Sequence, residues 1–112
     1  LKPRVLVVDD EPQIRVILED LLSREGFDVV TSSEPLEALK LAARRSFDVA
    51  LVDLRLGELD GVETLERLRR IDADLGVVIM TAYATIETAV AAMSFSIDRG
   101  TQTVWSPFLW SL

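Results

Sequence analysis

Short apolar runs at regular intervals are the feature that most restricts how this chain can fold. Residues 4–8, 27–31, 47–53 and 76–80 are rich in valine, leucine and isoleucine, and each run is too short to be an independent helix. Runs of this length that are apolar almost throughout are typical of strands buried on both faces. The sequence therefore predicts a sheet of at least four strands that is covered on both faces.

The segments between these runs have the apolar spacing of amphipathic helices. The first helix is predicted after Pro12 and stops at Gly26, because glycine readily adopts the left-handed conformation that ends helices. The second opens at Ser33-Glu34-Pro35, a cap sequence with proline in the first turn, and residues 84–93 form the fourth. The apolar positions that mark the first three helices are Ile14, Ile17, Leu18, Leu21 and Leu22, then Leu36, Leu39 and Ala43, then Val62, Leu65 and Leu68.

This alternation of strands and helices predicts a doubly wound α/β fold, in which a parallel sheet carries helices on both faces. In such folds a polar site forms at the carboxyl ends of the strands. Here those ends carry Asp9 and Asp10 after the first strand, Asp53 at the end of the third and Thr81 after the fourth. These four residues are the candidate site.

Composition narrows the chemistry that this site can perform. The 112 residues are enough for one domain, and they include neither histidine nor cysteine, which excludes imidazole catalysis, thiolate nucleophiles and cysteine zinc sites. Twelve Lys and Arg against 19 Asp and Glu give a net charge of −7, the wrong sign for direct nucleic-acid binding. No apolar run reaches the roughly 20 residues that cross a bilayer, so no membrane segment is expected. The lack of a signal peptide and of cysteine leads us to expect a cytoplasmic protein. Leu1 in place of Met leads us to expect a trimmed chain.

Carboxylates gathered at one sheet edge repel one another, by about 4 kcal/mol for a pair about 4 Å apart at an effective dielectric constant of about 20. Mg²⁺ would remove that cost and could clamp the oxygens of a phosphoryl group. One aspartate could then attack an activated phosphate while Thr81 donates a hydrogen bond to it.

Each of these residues also has a structural explanation. Asp9-Asp10 before Glu11-Pro12 resembles a helix N-cap, and a single Asp or Thr after a strand is a common turn former.

Residues 4–93 closely resemble the receiver domain of two-component response regulators. The run from Thr81 to Val90 looks most like receivers of enhancer-binding transcription activators. The segments that carry the resemblance are Val5-Leu6-Val7-Val8-Asp9-Asp10-Glu11-Pro12, Asp48-Val49-Ala50-Leu51-Val52-Asp53-Leu54-Arg55-Leu56, Asp60-Gly61 and Val78-Ile79-Met80-Thr81-Ala82-Tyr83.

The resemblance implies a flavodoxin-like fold with strand order 2-1-3-4-5 and a regulatory phosphoacceptor rather than an enzyme. It implies that Asp53 is the phosphoacceptor and that Thr81 is the switch hydroxyl. Asp10, Asp53 and the backbone carbonyl of Arg55 would contact Mg²⁺ directly, and Asp9 would act largely through water. The implied partners are a sensor histidine kinase and an output domain outside this chain, with a role in transcription.

The chain departs from this family after Met93, so we divide it into a receiver core, residues 1–93, and a tail, residues 94–112. The tail carries two charged side chains but four of the seven aromatic residues. Residues 101–105 could form an atypical fifth strand, but too little chain follows Pro107 for the family's fifth helix. The tail is either a divergent natural ending or a non-native sequence that begins where the reading frame leaves its parent.

The departure falls on residues that sense the phosphoryl group in the family. With Pro107-Phe108 matched to the family's Pro-Phe, Ser106 stands in place of the catalytic lysine and Thr103 in place of the switch aromatic. Because a serine hydroxyl cannot supply positive charge, an alternative is a switch-impaired receiver-fold module for binding or oligomerisation. A third hypothesis, a small phosphatase with an Asp nucleophile, is weaker because Arg55 stands where such enzymes usually have a second acid. Loss of the fifth helix would expose apolar surface, so we expect self-association by tail exchange.

Overall fold

A computed structural model describes residues 2–53 and 61–80, together with the main chain of residues 103–106. Within these residues no helix has the length and apolar character needed to cross a membrane. The predicted fourth helix and the absence of a fifth helix concern residues outside the described part. The elements in chain order are β1 (Arg4–Val8), α1 (Pro12–Arg24), β2 (Asp28–Ser32), α2 (Pro35–Arg44), β3 (Val49–Asp53), α3 (Gly61–Ile71), β4 (Gly76–Met80) and β5 (Thr103–Ser106).

The strands form one parallel sheet in the order β2-β1-β3-β4-β5. This order confirms the predicted doubly wound topology, because the chain runs outward from β1 to one edge and then returns to build the other half. The fifth strand comes from the tail and pairs with β4, with Val77 opposite Thr103 and Met80 opposite Ser106.

Two apolar layers cover the sheet, one on each face. On one face Leu18 and Leu22 of α1 pack against alternate strand residues, and on the other Ala38 of α2 and Leu68 of α3 do the same. The layers divide this way because successive side chains of a strand point to opposite faces. The strand residues of the α1 layer are Val5, Val7, Val49, Leu51, Val78 and Met80, and those of the α2–α3 layer are Leu6, Val8, Ala50, Val52, Val77 and Ile79.

The ends of some elements differ from the prediction. β2 begins one residue later than expected because the Phe27 N–H donates to the Leu22 carbonyl (3.0 Å) and so closes the end of α1. Gly26 stops that helix as predicted, with a positive φ of 95°. β3 begins at Val49, and Phe47 packs into the core from outside the strand.

The predicted start of α2 within Ser33-Glu34-Pro35 is confirmed, with Pro35 as the first helical residue. The N-cap is Glu34, which makes no capping hydrogen bond with its own side chain. The Ser32 hydroxyl instead accepts from the N–H of this N-cap residue (3.3 Å) and lies 2.9 Å from Glu37 Oε1. The start of α2 is therefore tied to the last residue of β2.

Asp48 joins the strands at the amino edge of the sheet. Its carboxylate accepts from the Arg4 N–H (2.7 Å), and its own N–H donates to the Arg4 carbonyl (2.8 Å). Its carbonyl accepts from the Gly76 N–H (3.2 Å), at the start of β4. One residue thus links the first residues of β1 and β4 across the start of β3.

Candidate functional site

The candidate site lies at the carboxyl edge of the sheet, where β1 and β3 end side by side. These strands are parallel neighbours with Val8 opposite Val52, so the next residue of each strand, Asp9 and Asp53, lies at the same edge of the sheet. Carboxylate oxygens of Asp9, Asp10 and Asp53 all lie within 4.8 Å of one another. The structure therefore brings together the three acidic residues that the sequence singled out.

The three carboxylates differ in their exposure to solvent. Asp9 is buried, with 4% of its surface exposed, whereas Asp10 is exposed and Asp53 is half-buried. The pKa of Asp9 is raised to about 6, mainly by burial and also by the charges of Asp53 and Asp10, against the lowering effect of a hydrogen bond from the Glu11 N–H. Holding Asp9 ionised at neutral pH therefore costs free energy.

The main chain around Asp9 is held on several sides. The Asp9 N–H donates to the Ser32 carbonyl (3.1 Å), and the Glu11 N–H donates to Asp9 Oδ1 (2.9 Å). Arg15 Nη1 donates to the Asp9 carbonyl (2.7 Å). Neither Ser32 nor Arg15 was predicted as a site residue; the one signal in the sequence was a cation one turn into the helix that follows two aspartates.

The capping explanation for Asp9 and Asp10 is wrong. The N-cap of α1 is Glu11, which makes no side-chain capping bond, and the first helical hydrogen bond runs from the Arg15 N–H to the Glu11 carbonyl (3.2 Å). Asp9 and Asp10 precede the cap, so their carboxylates are not used to satisfy the N–H groups of the helix's first turn.

Two predicted site residues, Thr81 and Arg55, lie outside the described residues. Met80, which directly precedes Thr81, is opposite Asp53 in the register of β3 and β4. The main chain of Ser106 is in turn opposite Met80. Position 106 therefore lies two strands from Asp53 at the same edge of the sheet.

An open depression of about 360 Å³ lies elsewhere, at the amino edge. It is lined by residues 42–46 with Ile71 and Asp72, which precede β3 and β4, so it is separate from the three carboxylates. Its walls are mostly exposed helix ends, including Arg44 and Arg45.

Sequence and structure comparisons agree on one family. The sequence profile described as the response regulator receiver domain matches residues 5–100, which extends past Met93 into the tail. The transcriptional regulatory protein ZraR of Klebsiella oxytoca is 39% identical over 89 residues, which are 80% of this chain and 20% of ZraR. Sporulation initiation phosphotransferase F of Bacillus subtilis is 32% identical over 78% of this chain and 70% of its own length. This chain thus spans about a fifth of the length of ZraR.

A solved structure extends the likeness to the fold. The response regulator protein TrrA of Thermotoga maritima, in complex with Mg²⁺ and BeF, matches with a TM-score of 0.71 and 30% identity. The match covers 95% of this chain and 88% of TrrA.

Proposed function

This chain belongs to the response regulator receiver domain family, and on that premise we propose that Asp53 accepts a phosphoryl group while Asp9, Asp10 and Asp53 hold Mg²⁺. Receiver domains of two-component systems are regulatory signalling domains rather than classical enzymes, and they work with histidine kinases and output domains. The family and the fold predicted from the sequence motifs are confirmed. The choice of Asp53, the metal and the downstream response are the proposal.

The observation that carries the proposal is the group of three carboxylates within 4.8 Å. Hard oxygen donors at this spacing suit Mg²⁺, and no ion pair neutralises Asp9 or Asp10 within the described residues. Bound Mg²⁺ would offset the repulsion between the carboxylates and the charge of an incoming phosphoryl group. The donor set therefore fits the ion.

Asp53 is the best placed of the three to act as the nucleophile. It is the last residue of β3, so the strand fixes its main chain, and it is more accessible than Asp9. A carboxylate oxygen of Asp53 attacks phosphorus, and the bond from phosphorus to the histidine nitrogen of the kinase breaks. The nitrogen leaves with the electron pair and takes a proton from water, and Asp53 becomes an acyl phosphate.

The test is incubation with a small-molecule phosphodonor and Mg²⁺, followed by intact-mass spectrometry. We expect the wild type to gain one phosphoryl group and Asp53→Asn to gain none. The matched control is Asp74→Asn, since Asp74 is an exposed aspartate at the opposite edge of the sheet. A wild type that gains no phosphoryl group, or an Asp53→Asn variant that still gains one, would refute the proposal.

The finer roles belong to the same proposal. Thr81 serves as the switch hydroxyl, the backbone carbonyl of Arg55 completes the metal site, and the output is transcriptional. The protein works in the cytoplasm, its receiver core ends near Met93, and the tail promotes self-association. Light scattering at high protein concentration tests the last point, and a monomer throughout would contradict it.

A second candidate function is a receiver-fold binding module whose response to phosphorylation is impaired. The supporting observation is the pairing of β5 with β4, with Ser106 opposite Met80 at the site edge. With Pro107-Phe108 matched to the family's Pro-Phe, Ser106 stands where the family has its catalytic lysine, and serine carries no charge to attract the phosphoryl group.

Beryllofluoride with Mg²⁺ separates the two candidates, because it mimics a phosphoryl group bound to aspartate. Tight binding with a shift of Trp105 emission would favour the working switch. Binding without a spectral change would favour the impaired module.

A further inference from the structure

The loop between β1 and α1 consists of Asp9, Asp10 and Glu11, and we refer to it as the acidic loop. Four hydrogen bonds hold it. The Asp9 N–H donates to the Ser32 carbonyl (3.1 Å) and the Glu11 N–H donates to Asp9 Oδ1 (2.9 Å). The carbonyls of Asp9 and Glu11 accept from Arg15, at 2.7 Å from Nη1 and 3.2 Å from the main-chain N–H.

Arg15 therefore makes two of these four bonds, from a half-buried position in the first turns of α1. Its guanidinium donates to a main-chain carbonyl and so fixes the peptide plane between Asp9 and Asp10. A bond to a carbonyl leaves the carboxylate oxygens of both aspartates available to a cation. A bond to a charged donor is also stronger than one between neutral groups.

We propose that Arg15 is a positioning residue, which holds the acidic loop so that the carboxylates of Asp9 and Asp10 meet Asp53. The inference rests on the proposed function for its link to Mg²⁺, but the geometry of the loop exists without the ion. Groups that hold metal ligands in place typically change metal affinity by 10–100-fold when removed, so we expect an effect at about the lower end of that range.

The first experiment measures Mg²⁺ affinity by calorimetry for the wild type, Arg15→Ala, Arg15→Lys and Arg24→Ala. Arg24 is the matched control, because it lies on the same helix and pairs with the exposed Asp20 (3.1 Å), away from the loop. We expect Arg15→Ala to bind about tenfold more weakly, and Arg15→Lys to stay within about threefold of the wild type because lysine keeps the charge and a donor. Equal losses in Arg15→Ala and Arg24→Ala would overturn the inference, since they would reflect net charge alone.

The second experiment follows amide hydrogen exchange in the metal-free protein. We expect the Glu11 amide to exchange about tenfold faster in Arg15→Ala than in Arg24→Ala, with the amides of β3 unchanged. Unchanged Glu11 exchange would overturn the inference whatever the Mg²⁺ affinity is. A wild type with no Mg²⁺ affinity would refute the proposed function, and the exchange experiment would still decide the role of Arg15.

Discussion

Replacement of Asp9 by asparagine is expected to stabilise the metal-free protein at neutral pH. The pKa of this carboxyl rises from 3.8 to about 6 on folding, mainly because the group is buried with 4% of its surface exposed. A difference of about 2 pKa units at 1.36 kcal/mol each corresponds to an upper limit of about 3 kcal/mol for the cost of the charged form. Asparagine removes the charge and keeps an oxygen that can accept the Glu11 N–H.

The effect depends on pH in a defined direction. Because the folded chain binds the Asp9 proton more tightly than the unfolded chain, this group contributes most to stability below pH 3.8. Its contribution falls as pH rises towards about 6, and the full cost is present at pH 7. The advantage of Asp9→Asn should therefore be largest at neutral pH and should shrink towards pH 4.

Urea unfolding of the wild type and Asp9→Asn at pH 7.5 and pH 4.5 measures this difference. We expect the free energy of unfolding of the variant to be higher by about 1–3 kcal/mol at the higher pH, less than the upper limit because the amide also loses solvation on burial. Asp74→Asn, which changes an exposed aspartate, is the control for net charge. Mg²⁺ should stabilise the wild type by about 2.7 kcal/mol at 100 times its Kd and the variant by less. A variant that is less stable than the wild type at pH 7.5, or a difference independent of pH, would refute the reasoning.

Three further predictions concern the core, the amino edge and the tail. Leu51→Ala removes a fully buried side chain and should lower the free energy of unfolding, measured by urea unfolding, by about 2–5 kcal/mol. A loss below about 1 kcal/mol would contradict the described packing of the core. Asp48→Ala should lower the free energy of unfolding by about 1 kcal/mol, because the bond to the Arg4 N–H is lost. Its Mg²⁺ affinity, measured by calorimetry, should be unchanged. Weaker Mg²⁺ binding would show that the amino edge of the sheet is coupled to the carboxylates at the opposite edge. Ser106→Lys should enlarge the Trp105 emission shift with beryllofluoride, and an unchanged shift would count against the impaired-switch hypothesis.

The strands were predictable wherever sequence signals mark both ends. β1 and β4 have the predicted bounds because polar or turn-forming residues flank their apolar runs. β2 begins one residue later than predicted because the Phe27 N–H bonds to the end of α1. Apolar spacing carries no information about which neighbouring element a main-chain N–H will bond to. The segment that begins α2 was predicted, but its contact with Ser32 was not, because that serine lies inside the preceding strand.

The convergence of the carboxylates was also predictable, because parallel strands that start in register end at one edge. The different environments of Asp9 and Asp10 were not, since burial depends on how β2 and α1 pack around the acidic loop. The contacts of that loop with Ser32 and Arg15 depend on the same packing. Sequence patterns therefore locate the acidic groups, and three-dimensional packing sets their energies.

The bonds around Asp48 also have a mechanical consequence. They join β1, β3 and β4 at the amino edge, about five residues along each strand from the carboxylates, and the Asp28 N–H adds β2 by donating to the Pro3 carbonyl (2.9 Å). These bonds reinforce the relative positions of the four strands at that end. These bonds add to the ladder hydrogen bonds between the strands. We therefore expect a displacement set off by a charge at the carboxyl edge to be smallest near Asp48 and larger in the segments that follow the strands.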